Sequence, residues 1–167
     1  MSIQETTSKQ ERLIEIYKLT NNPDHREARA NVFKAFKIYK KENYVNGKKK
    51  SGKTYTAQYL EELKGKQFDN IFSDPKVLGK LSDEERTRIK KDVELVRASF
   101  DNIGARFNSK LIPEEALLKA MWGVTLHCWD SLEHHINIER DVRKTLHYMI
   151  YFEELLQKQM NIGRNRV

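Results

Sequence analysis

The residues with the clearest chemical pattern are Gly47-Lys-Lys-Lys-Ser-Gly52-Lys53-Thr54, which fit the Walker A spacing G-x-x-x-x-G-K-[ST] letter for letter. In a working phosphate loop the glycines let backbone N–H groups wrap the phosphates. The lysine reaches the outer phosphates and the hydroxyl holds magnesium. That geometry needs a buried apolar strand just before the loop and a helix just after. The residues before Gly47 are Lys40-Lys-Glu-Asn-Tyr-Val-Asn, the polar end of a helix, and no later apolar strand ends in an Asp for the metal. Nucleotide binding is therefore disfavoured. The same segment carries Lys40, Lys41, Lys48, Lys49, Lys50 and Lys53 against one acid, Glu42, a local charge of +5 out of +7 for the chain. Those lysines, with Tyr44 and Tyr55, could grip phosphates of nucleic acid or an anionic lipid surface. A solvated surface loop accounts for the same composition.

A second pattern is Arg140-Asp-Val-Arg-Lys-Thr-Leu-His147. Seven residues are two helical turns, so on a continuous helix both side chains share a face. A histidine can serve as acid or base, and an arginine can stabilise a developing phosphorane. This spacing resembles the Arg-x(4–6)-His signature of helical RNases of the nucleotide-binding HEPN type, in which a dimer brings two such pairs to one phosphodiester. The resemblance implies Arg140 and His147 as catalytic candidates. Eleven arginines and five histidines in the chain make one such spacing ordinary, so no catalytic residue is assigned.

His127, Asp130 and His134 share a helix face, and Glu133 and His135 flank them. Such a set could ligate a metal, but it also fills the polar face of an amphipathic helix. Neither metal nor cofactor is expected. Cys128, the single cysteine, excludes an intramolecular disulfide and a cysteine-based zinc site; it reads as a small buried residue. Trp122 and Trp129 are seven apart, and core packing or a partner-binding hot spot would each explain them. Gly104 and Gly123 sit inside helices, where glycine costs about 1 kcal/mol against alanine; close helix–helix approach would explain both. Arg97 and Asp101 can pair at i, i+4, and Arg140 is the candidate cation for a buried Asp101.

The elements that must hold these residues are helices. Ile89, Val93, Val96, Phe100, Ile103 and Phe107 step by 4, 3, 4, 3, 4, the period of one long amphipathic helix. Ser82-Asp-Glu-Glu85 is a capping box at its start. Ser8-Lys-Gln-Glu11 has the same spacing and marks the expected first helix, which Asn21-Asn22-Pro23 stops before a second runs to Tyr44. A short helix is expected over 54–64 and an irregular stretch over 66–81. Helices are expected from Pro113 to Ile136 and from Glu139 to Met160. The expected fold is all-α, a single bundle of five or six helices, with helices over 82–108, 114–136 and 139–160 as core. Residues 1–7 and 163–167 are expected to fray, and 45–53 to form a flexible basic loop.

The chain has 167 residues, 38% hydrophobic and 33% charged. One domain is the default at this length. No apolar run approaches the 18 residues of a membrane span, and the polar N-terminus lacks a signal-peptide core. A cytoplasmic, reducing setting fits one cysteine.

Glu27-Ala-Arg29, Phe100-Asp101-Asn-Ile-Gly104, Leu111-Ile112-Pro113, Trp122-Gly123, Trp129, Arg140 and Tyr151-Phe152-Glu-Glu-Leu155 occur in this order. Their order and spacing resemble a small helical family of bacteria and archaea catalogued only as a domain of unknown function, over about residues 10–158. The resemblance implies an α-helical domain and no activity. Many members carry an N-terminal membrane anchor; the expectation for this chain is a departure from that pattern, with none. It favours reading Arg29, Asp101, Trp122, Trp129 and Arg140 as shared architecture or a shared interface. The leading expectation is a non-enzymatic adaptor or accessory subunit, oligomeric or bound to a protein partner. Polyanion binding through residues 40–53 and an RNase centred on Arg140 and His147 are the alternatives.

Overall fold

A computed structural model describes residues 2–45, 48–49 and 81–164. These form an all-α bundle with five helices: α1 (Ile3–Asn21), α2 (Pro23–Asn43), α3 (Asp83–Asn108), α4 (Glu114–Arg143) and α5 (Ile150–Arg164). A two-residue antiparallel ladder, β1 (Tyr44–Val45) with β2 (Lys48–Lys49), follows α2. The short helix expected over 54–64 and the Phe68, Ile71 and Phe72 patch lie outside the described residues. No described helix is long and apolar enough to cross a membrane.

Local signals start most helices. Ser82 and Glu85 close the expected capping box: the Ser82 N–H donates to Glu85 Oε2 at 2.8 Å and the Glu85 N–H to Ser82 Oγ at 3.2 Å. Those bonds hold the Glu85 carboxyl below the usual carboxylate range. Asn22 caps α2, its Oδ1 accepting from the His25 N–H at 2.8 Å with Pro23 in the first helical position. Helix α1 starts earlier than its expected Ser8. Ser2 and Glu5 form the box instead, because nothing between Ser2 and Ser8 breaks a helix. Residues 3–7 are thus helical, and α5 likewise continues to Arg164.

The two C-terminal helices differ most from expectation. Helix α4 does not end near Asn137; Ile136, Ile138, Glu139 and Arg140 are all buried and the helix runs on to Arg143. It ends in a Schellman motif, with Lys144 at φ 54° and bonds from Lys144 N–H to the Asp141 carbonyl and from Thr145 N–H to that of Arg140. Helix α3 ends the same way at Lys110, φ 57°. Both positions favour glycine.

The described chain divides into two compact units. The first comprises residues 1–27, 95–130 and 149–167. Its core is a chain of rings from four helices. His25 of α2 lies 6.2 Å from Phe100 of α3, Phe100 stacks on Phe152 of α5 at 5.1 Å, and Trp129 of α4 meets Phe152 edge-on at 5.2 Å. Offset and edge-to-face pairs of this kind contribute beyond their buried area. The second unit comprises residues 28–94 and 131–148. Val32, Ala35, Ile89, Val93, Leu132 and Ile136 are among its buried side chains, and Asn31 Nδ2 donates to Asp92 Oδ2 at 2.8 Å between α2 and α3.

Two expectations follow. Lys110→Gly and Lys144→Gly should each stabilise the chain by roughly 0.5 kcal/mol, because relief of left-handed strain outweighs the added unfolded-state entropy. A raised urea midpoint at unchanged slope would verify this. Gly104→Ala should destabilise by about 3 kcal/mol or more, since a Cβ there would stand 2.1 Å from the Tyr151 carbonyl oxygen and 2.6 Å from its carbon. Thermal unfolding by circular dichroism reads that loss.

Candidate functional site

Asp101 and Gly104 sit one turn apart on α3 and together receive the first turn of α5. Met149, φ 56°, is the N-cap of α5, its carbonyl accepting from the Glu153 N–H at 3.3 Å. Methionine has no side-chain acceptor strong enough to cap. Asp101 supplies one from 51 residues upstream, its Oδ1 accepting from the Phe152 N–H at 3.1 Å. Burial pushes the Asp101 carboxyl above the usual carboxylate range, and the N–H groups of Phe152 and Tyr151 and the charge of Arg97 pull it partly back. Asp101 is thus a tertiary helix cap.

Arg140, expected to serve Asp101, is buried and donates from Nε to the Tyr148 carbonyl at 2.9 Å. Arg143 lies over the Tyr148 ring at 4.4 Å and donates to Glu139 Oε2 at 3.0 Å. These contacts fasten the turn after α4. His147 belongs to that turn, exposed, its N–H on Thr145 Oγ1 at 3.2 Å. Arg140 and His147 therefore do not share a helix face, because the helix that the spacing presumed ends at Arg143.

Lys48 and Lys49 of the Walker-like segment pair in the ladder opposite Val45 and Tyr44. Lysines held in a ladder do not belong to a loop that wraps phosphates. Lys40 and Lys41 fall in α2, and Lys50 and Lys53 lie outside the described residues. His127 and Asp130 are exposed and His134 is half-buried. Among the described residues no three His, Cys, Asp or Glu side chains group closely enough to hold a metal ion. Cys128 is buried. Arg29 is half-buried on α2.

The two tryptophans separate. Leu118, Trp122, Thr125 and Trp129 share one stripe of α4 at i, i+4, i+7 and i+11. Leu118, Thr125 and Trp129 are buried, at 6% exposure or less, but Trp122 is 47% exposed. Beside it Leu126 is 36% exposed. Gly104 does serve close approach, as expected. Gly123 does not: apart from its chain neighbours and its own helix backbone, no described atom lies within 4 Å of where its Cβ would stand. A glycine that costs its helix about 1 kcal/mol therefore has no packing reason among the described residues. Sequence reading singled out Trp122 and Gly123 and missed Lys119 and Leu126, which fall on the same outer face. The missing signal was available: Leu126 follows Trp122 by four residues, one helical turn on the same side.

No family model, curated protein or solved structure matches the chain.

The cap assignment predicts a pattern at Asp101. Asp101→Ala should cost about 1–2 kcal/mol by stranding N–H groups of α5, while Asp101→Asn keeps the acceptor and stays near wild type at neutral pH. Folding raises the Asp101 pKa above its ordinary 3.8. Its stabilising contribution is therefore fully present below that value and is lost as pH rises through the folded pKa. Wild type should gain on Asp101→Asn as pH falls from about 7 to about 3. Paired urea titrations across that range measure the gain.

Proposed function

We propose that this chain is a non-enzymatic interaction protein, an adaptor or accessory subunit that engages a protein partner through the outer face of α4. The half-exposed Trp122 carries the reading. It lies on a stripe whose other members are buried, so the helix offers a large aromatic side chain where its own fold leaves the stripe open. Tryptophan is enriched at interface hot spots, and Gly123 and Leu126 lie exposed beside Trp122 on the same outer face.

The residues behind the family resemblance divide on the same line. Asp101, Trp129 and Arg140 serve the interior and the turns, by capping, ring packing and carbonyl binding. Trp122 reaches outward, 47% exposed. The single cysteine suits a reducing compartment, and a cytoplasmic location is proposed with it.

Site-specific photo-crosslinking tests the reading. Trp122 replaced by p-benzoylphenylalanine should give a discrete adduct in cells, and the same replacement at exposed Lys91 of α3 should not. Trp122→Ala should abolish co-purification of the adducted species without lowering helicity. Absence of any adduct above the Lys91 control, with an unchanged co-purification pattern for Trp122→Ala, would overturn it.

A further inference from the structure

The outer face of α4 has a symmetry that its composition alone does not reveal. Ala116, Lys119, Gly123, Leu126 and Asp130 step by 3, 4, 3 and 4 along the helix, and all five are exposed. This is the spacing of a helix–helix seam, on a face whose centre is open among the described residues: none of them comes within 4 Å of the Gly123 Cβ position from outside its own helix backbone. Its basic group stands on one side of the apolar centre and its acid on the other.

We propose that this seam pairs with a second copy of itself in antiparallel register, across a two-fold axis passing between Val124 and Thr125. The inference rests on the interaction reading above and names its partner. The register that sets Leu126 of each copy against Gly123 of the other also sets Lys119 against Asp130, because both pairs are centred on the same point of the helix. An isologous contact repeats each pair twice, so the dimer gains two charge pairs and two knob-in-hole contacts. Glycine is a poor helix former, but here it provides the hole into which leucine inserts and lets the two backbones approach closely. Trp122 then falls opposite His127, flanking the seam with aromatic rings. Lys119 already reaches Glu115 on its own helix at 2.8 Å, which holds its ammonium on this face. A parallel copy would set Lys119 beside Lys119 and Asp130 beside Asp130, so the charges select the antiparallel arrangement.

Charge exchange on the full chain tests this. Sedimentation equilibrium should give twice the 19.8 kDa chain mass at a concentration on the order of 100 μM. Lys119→Asp alone and Asp130→Lys alone should each weaken the dimer roughly tenfold or more, since each turns two attractive pairs into repulsive ones. The double variant exchanges the partners without changing the pattern, and should recover an affinity within about threefold of wild type. Far-UV circular dichroism should be the same for all four proteins. A monomer at that concentration, a dimer indifferent to both reversals, or a double variant no better than the singles would overturn the proposal. A monomer whose Trp122 still crosslinks to a different protein defeats self-pairing alone; a monomer with no Trp122 adduct defeats the interaction reading with it.

Discussion

Everything at the C-terminal end of this chain depends on one backbone need: the first N–H groups of α5 require an acceptor. The residue that precedes the helix is Met149, in the left-handed conformation, and its side chain cannot provide one. Asp101 does so from α3, and Gly104 one turn on removes the Cβ that would collide with the Tyr151 carbonyl. The carboxylate fixes where α5 begins and the glycine fixes how near it lies. Phe152, held by that bond, then stacks on Phe100 and receives the edge of Trp129. The aromatic chain is thus aligned by a polar contact, and burial of the rings in turn keeps the carboxylate short of water.

Much of the helical framework is legible in the sequence, and particular residues show why. The apolar ladder from Ile89 to Phe107 is buried at every step, because one continuous helix obeys its period wherever a core covers it. The Ser82–Glu85 box and the Asn22-Pro23 junction are local chemistry and are readable from four residues each. The break at 144–149 is different. It contains neither glycine nor proline; Asp101 and Arg140 make it, and neither side chain announces its partner. Asn137, which looked like a break, lies in a helix whose neighbours are buried on both sides.

The candidate site divides in the same way. Helical period groups Trp122 with Trp129, but burial depends on what covers each position, and period carries no information about that. Arg140 and His147 matched a spacing that presumes an unbroken helix, and the turn between them removes the premise. Gly104 and Gly123 look alike in sequence. One meets a carbonyl oxygen and the other meets open space, so one is architecture and the other is surface.

Cys128 lies fully within the fold, on the same helix as the exposed Trp122. A thiol with no route to water does not meet a reagent. Because it is the chain's single sulfhydryl, its alkylation rate is a clock for how often α4 lifts away from its neighbours, read from one atom without any label added. Partner binding on the outer face would slow that clock by mass action without ever touching the sulfur.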